Sequence, residues 1–401
     1  MITQSKGVLY EHDSLRLLDD FVEFIGENKI KRCIASARKS IRAAPQVLRG
    51  YYQQNTFRWW TAFDEYFNLK HGKQQQLSEY VIALAKDANQ FLDLKSGMPR
   101  NVLNKYRGEF ASILGAPSHM FEIRTAWHFW RRGFTLQWQE DCGVPIPEFV
   151  VTTQDFSFEV ECKELQIDSY RKIGRKDFAH LANAIIDELR SRNLKGSASI
   201  LLDNPLNATN AFISQIRLDI RNAFLQISGS SKRYPWGLLT LDVSTASGEV
   251  IDFYRVQREY QNNAPIHAHS MFYARKDSYG QSIDLIHVKC QCATSDQVLI
   301  GILSTLQAAA KQLANDQPGL ICFYIPEIEN FSGLENDSAL NRMTSELFSS
   351  ATLNHVAGVM YSSEQRQVKL NDGWQSFAEA LIFKNPNCRL PKATQFQYLG
   401  S

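Results

Sequence analysis

The chain has 401 residues, 44% hydrophobic and 21% charged, with a formal charge of +2. That is an ordinary globular composition, long enough for two or three domains, and its charge balance neither demands nor excludes a polyanionic partner. No run approaches the roughly 18 apolar residues of a membrane span, the first residues lack a signal-peptide pattern, and seven scattered cysteines suit a reduced setting, so a cytoplasmic protein with no membrane partner is expected.

Residues 1–117 read as helical. Leu17, Leu18, Phe21, Phe24 and Ile25 recur at helical spacing, as do Val81, Ile82, Leu84, Ala85 and Phe91. Gly115-Ala116-Pro117 breaks that pattern, and Ser118 is placed to cap a helix over about 118–132 that stops at Gly133. Strands follow at Phe134–Trp138, about 148–152 and about 157–165, with Gln154-Asp155 as a hairpin turn between the last two. A helix over about 176–193 leads to a buried strand at 199–202. Beyond residue 204, helices are expected near 208–226, 296–314 and 338–349. Strands are expected near 237–243, 270–275, 284–291, 319–325, 355–361 and 379–384.

The segment Phe158-Glu159-Val160-Glu161-Cys162-Lys163 carries the chemistry. Strand side chains alternate, so Phe158, Val160 and Cys162 suit a core while Glu159, Glu161 and Lys163 share the other face, roughly 6–7 Å apart. If the strand from Glu148 pairs antiparallel with this one, Glu148 reaches the same place. Two carboxylates can hold Mg²⁺ or Mn²⁺, which neutralises phosphate charge and lowers the pKa of bound water, and Lys163 can stabilise the charge that builds up on the phosphate. The triplet is weak evidence alone, because Glu27-Asn28-Lys29 and Asp93-Leu94-Lys95 repeat it in the helical part. Its weight comes from its surroundings: a helix with Glu122, a strand, Pro147-Glu148, a hairpin, then Glu161-Cys162-Lys163.

That ordered set resembles the PD-(D/E)xK nuclease superfamily over about residues 118–203. Pro147-Glu148 matches its Pro-Asp, with Glu in place of Asp, and Glu161-Cys162-Lys163 matches its (D/E)xK. Glu122 matches the acid that many members carry on the preceding helix. The resemblance implies a mixed α/β fold with a restriction-endonuclease-like αβββαβ core. It implies Glu148, Glu161 and Lys163 as catalytic residues, and Glu148, Glu161 and Glu122 as ligands of Mg²⁺ or Mn²⁺. The implied substrate is DNA, with RNA as the alternative. By analogy of fold it also suggests restriction-like, mobile-element or antiphage roles. The competing expectation is an inactive nuclease fold that binds nucleic acid or assembles with protein partners or its own copies. The corresponding domains are a helical region at 1–117, the core at 118–203 and an α/β region at 204–401, separate from or continuous with the core sheet.

Basic residues offer contacts to a phosphate backbone. Arg171, Lys172, Arg175 and Lys176 directly follow the Glu-x-Lys strand, with Gly174 among them. Lys29–Arg49 holds seven basic residues and no acid, which reads either as a phosphate-binding stripe or as a solvated helix face. Arg58-Trp59-Trp60 and Trp127-His128-Phe129-Trp130 could stack bases, though helical aromatics are usually core. His180 could approach the site or sit at the surface. Cys290-x-Cys292 reads as a buried strand pair, and His267 with His269 shows no third metal ligand. No phosphate-binding GxxxxGK[ST] loop, dinucleotide-binding GxGxxG turn or GxSxG elbow is present.

Overall fold

The computed structural model describes residues 11–44, 49, 52–74, 76–114, 116–139, 146–165, 170–206, 210–223, 231–253, 269–294, 296–314, 316–325, 339–349, 353–363, 366–370, 373–377 and 380–388. It divides into two compact units. One comprises Met1–Ser40, Gln53–Gln166 and Leu299–Ser401; the other comprises Ile41–Tyr52 and Ile167–Val298.

The first unit opens with α1 (Glu11–Ile25), α2 (Glu27–Ala43), α3 (Arg58–Lys70), α4 (Glu79–Lys95), α5 (Arg100–Glu109) and α6 (Ala116–Trp130). Their apolar stripes meet in an aromatic cluster in which Phe21 lies 5.5–6.2 Å from the rings of Trp59, Phe63, Phe91 and Phe110. Trp59 and Trp60 are buried there, and the Trp60 indole donates to the Ile113 carbonyl, so this pair is core and does not stack bases. Helix α6 begins at Ala116 rather than Ser118, because proline is tolerated in a first helical turn. It gives way at Gly133, whose φ of +83° suits a residue without a Cβ.

Strands β1 (Thr135–Trp138), β2 (Phe149–Thr152) and β3 (Ser157–Glu164) form an antiparallel meander. Thr153 closes the β2–β3 hairpin, its hydroxyl accepting from the amides of Asp155 and Phe156. The next strand beside β3 is β9 (Gly319–Tyr324), parallel to it, preceded by α9 (Val298–Ala310). Then come α10 (Ala339–Phe348), β10 (Val356–Ser362), the β11–β12 hairpin (Arg366–Leu370 and Gly373–Phe377) and β13 (Ala380–Lys384). The sheet order is β1-β2-β3-β9-β10-β13. Every residue of β9 is buried, as suits a parallel strand covered on both faces.

The second unit contains α7 (Arg175–Ser191), β4 (Leu194–Leu202), α8 (Asn210–Ala223), β5 (Ser231–Tyr234), β6 (Gly237–Thr245), β7 (His269–Lys276) and β8 (Ser282–Cys292). The sheet order is β5-β6-β4-β8-β7. Its core gathers Ile185 and Leu189 of α7, Ile216 and Ile220 of α8, and Ala198, Ile200, Leu239, Ile286, Val288 and Cys290 of the sheet.

The expected 118–203 segment is therefore divided between the units. The helix at 176–193 and the strand at 199–202 do not complete the sheet of Glu161. Strand β4 buries alternate residues against α7 and α8 and pairs with β6 and β8. The helix and strand that follow β3 within its own sheet are α9 and β9. No helix among the described residues is long and apolar enough to cross a membrane.

Candidate functional site

Glu161 sits on β3, between β2 and β9, and is fully buried. Its carboxylate pairs with the Lys163 ammonium, one strand period away. Apart from that ammonium, neither of its oxygens meets a hydrogen-bond donor among the described residues. Burial pushes its pKa up to about 8; Lys163 opposes the shift, while Glu148 and Glu122 add to it. Both faces of β3 are buried from Phe158 to Cys162, while Lys163 beyond them is half-buried.

The amide of Glu148 donates to the Val160 carbonyl at 3.0 Å, although Phe149 is already the register partner of Val160. The backbone of Glu148 is thereby fixed beside β3, next to Glu161. Its carboxylate accepts from Lys105 Nζ at 3.2 Å. Burial raises the Glu148 pKa, as does Glu122, against Lys105 and Lys163.

Glu122 of α6 is also buried, and both of its oxygens are engaged. Oε1 lies 3.0 Å from His119 Nδ1; Oε2 accepts from the Tyr106 hydroxyl at 3.0 Å and lies 3.7 Å from Lys105 Nζ. Burial works against charge on Lys105 and His119, yet the carboxylates prevail and both pKa values are raised. Burial, then Glu122 and Glu148, keep the Tyr106 phenol protonated. Lys105, Tyr106 and His119 were missed in the sequence. They come from α5 and the start of α6, and only a helix pattern marks those segments.

A hard divalent cation prefers oxygen ligands. Glu161 and Glu148 fit that donor type, and the oxygens of Glu161 have a single partner. Glu122 is more fully committed to its neighbours. Among the described residues, no three His, Cys, Asp or Glu side chains stand grouped around one point as a ready cation site. The donor chemistry fits such an ion, and Glu161 and Glu148 are the residues that would hold it.

Glu159 does not join this cluster. It is buried, and its carboxylate accepts from the Ala314 amide at 2.5 Å, bracing the turn that enters β9. Arg171, Lys172, Arg175 and Lys176 belong to the second unit. The Lys172 amide donates to Asp296 at 2.8 Å, and Lys176 is exposed. His269 lies in the same unit, its ring 5.2 Å from Phe178, and burial with Arg171 nearby lowers its pKa to about 4. His267 lies outside the described residues, and His180 is half-buried on α7. Cys290 is core and Cys292 half-buried, as two cysteines of one strand should be.

Two of the seven basic residues of the Lys29–Arg49 segment are shown with acidic partners: Arg38 is bidentate to Asp64 at 2.7 and 2.5 Å, and Lys31 meets Glu27 at 2.5 Å. The Trp127 indole donates to Asp93 at 2.9 Å, which gives that second acid-x-Lys triplet a structural role. No family model, curated protein or solved structure matches this chain.

Proposed function

We propose that this chain is a metal-dependent nuclease of the PD-(D/E)xK type acting on DNA, with Glu148, Glu161 and Lys163 at its reaction centre. The observation that carries the reading is Glu161, a fully buried carboxylate on an interior strand with one ammonium as its partner among the described residues. A buried carboxylate this sparsely compensated is costly to ionise and needs a reason. The order of elements adds support: helix α6, strands β1 to β3, then helix α9 and strand β9 parallel to β3, with a second unit between them. Removing that unit leaves αβββαβ.

Mg²⁺ or Mn²⁺ bound by Glu161 and Glu148 would supply charge neutralisation and an acidified water. The chain's own residues do the rest. Lys163 places its ammonium where a phosphate oxygen gains charge, and the burial of Glu161 keeps bulk water from its carboxylate. Glu122 fixes Lys105 beside Glu148.

The test is cleavage of plasmid DNA with Mg²⁺ or Mn²⁺, with an RNA substrate in parallel. Lys163→Ala and Glu161→Ala should each reduce cleavage by at least about 100-fold, the scale of losing one charge-stabilising group. Equal cleavage by all three proteins would end the proposal. A second reading, an inactive scaffold of the same fold, is favoured by the absence of a ready three-ligand group among the described residues and by Lys105 lying on Glu148. It expects no cleavage with either ion.

A further inference from the structure

Away from the carboxylates, the second unit carries an open cleft of about 540 Å³ lined by Asp187, Arg190, Ser191, Tyr273, Arg275 and Lys276. Two guanidinium groups and one ammonium meet there, from the end of α7 and the end of β7. Among the described residues, Asp187 is the single acid of the lining, 3.9 Å from Arg190. The guanidinium of Arg190 lies over the Tyr273 ring at 4.9 Å. Arg275 is held by Asn193 Oδ1 at 2.5 Å and the Leu194 carbonyl at 3.4 Å, so among the described residues its charge is aimed by neutral partners. Lys276 is exposed and donates to the Ser282 hydroxyl at 2.8 Å. The cations outnumber the acid and bring donors only, which suits phosphate oxygens.

We infer that this cleft binds the phosphate backbone of a nucleic-acid strand, through Arg190, Arg275 and Lys276. An open cleft of this size, with cations on two elements, follows a chain of phosphates better than it encloses one. The choice of a nucleic acid over another phosphate carrier rests on the nuclease reading. The residues are distinct from Arg171, Lys172, Arg175 and Lys176.

The experiment measures binding of a fluorescent DNA oligonucleotide to the full chain in EDTA, over a salt series. Lys276→Glu and Arg190→Ala should each weaken binding several-fold. Arg190→Ala should also reduce the slope of log Kd against log salt by about 1, the value for one lost phosphate contact, and the charge reversal Lys276→Glu by at least as much. Unchanged affinity and slope in both variants, or no binding by the wild-type chain, overturns the inference. Equal competition by inorganic phosphate also overturns it, by assigning the cleft to a small anion. Glu161→Gln serves as the separate arm. If the nuclease reading alone is wrong, cleavage is absent while Lys276→Glu still weakens binding. If the cleft alone is wrong, cleavage depends on Glu161 while Lys276→Glu binds like wild type.

Discussion

Glu161 shows how one burial event sets chemistry. An unfolded glutamate loses its proton near 4.5, whereas this buried one keeps it up to about 8. Between those values the folded chain holds a proton that the unfolded chain has released. The residue's contribution to stability is therefore complete below about 4.5 and lost as pH rises through about 8. In EDTA, Glu161→Gln should be as stable as wild type near pH 5 and more stable near pH 8, with a gap of a few kcal/mol at most. Thermal unfolding across that range checks this; a gap independent of pH would contradict it. The same carboxylate that weakens the metal-free protein at neutral pH is the one a cation would stabilise, so added Mn²⁺ should narrow the gap.

At the scale of elements, Glu122 joins α5 to α6. It takes the Tyr106 hydroxyl at 3.0 Å and His119 at 3.0 Å, and Tyr106 is fully buried. Glu122→Ala leaves that hydroxyl without its acceptor and should cost about 1–3 kcal/mol, while Glu122→Gln keeps an acceptor and should cost less. Equal losses in chemical denaturation would mean the carboxylate charge matters more than the hydrogen bond. Helix α6 is further pinned to α4 by Arg124, bidentate to the buried Asp87 at 2.8 and 2.8 Å. Arg124→Ala should destabilise by about 3–5 kcal/mol, because it leaves Asp87 charged and unpaired. Firm anchoring of α6 matters because this helix carries Glu122 to Glu148.

At the scale of the whole molecule, the two units have separate sheets and cores. Calorimetry should then resolve two transitions. Gly196 on β4 has a φ of +121°, and a Cβ there would lie 2.2 Å from the Asp242 carbonyl oxygen. Gly196→Ala should lower the transition of the second unit by about 1–3 kcal/mol or more, and Trp236, that unit's one tryptophan, reports on it. Mn²⁺ should raise the other transition. A single transition that responds to both changes would refute this independence.

Much of this was legible beforehand for physical reasons. Alternation over residues 157–164 and the Gln154-Asp155 turn are local, so the three strands and the hairpin of β2 with β3 could be read from the chain. Helices and strands after residue 204 followed from runs such as Ala308–Leu313 and Gly319–Tyr324. The short β5 and the β11–β12 hairpin did not, because their few residues carry little periodic signal. What the sequence by itself determined was local: element type, side-chain alternation and the Glu-x-Lys pair. Only the tertiary structure decided which strand lies beside β3, how deeply Glu161 is buried, and that Lys105, Tyr106 and His119 belong to the site. Strand β9 takes that place, although β4 comes first in sequence, because β4 covers one face in a sheet of its own while β9 is apolar enough to be enclosed on both.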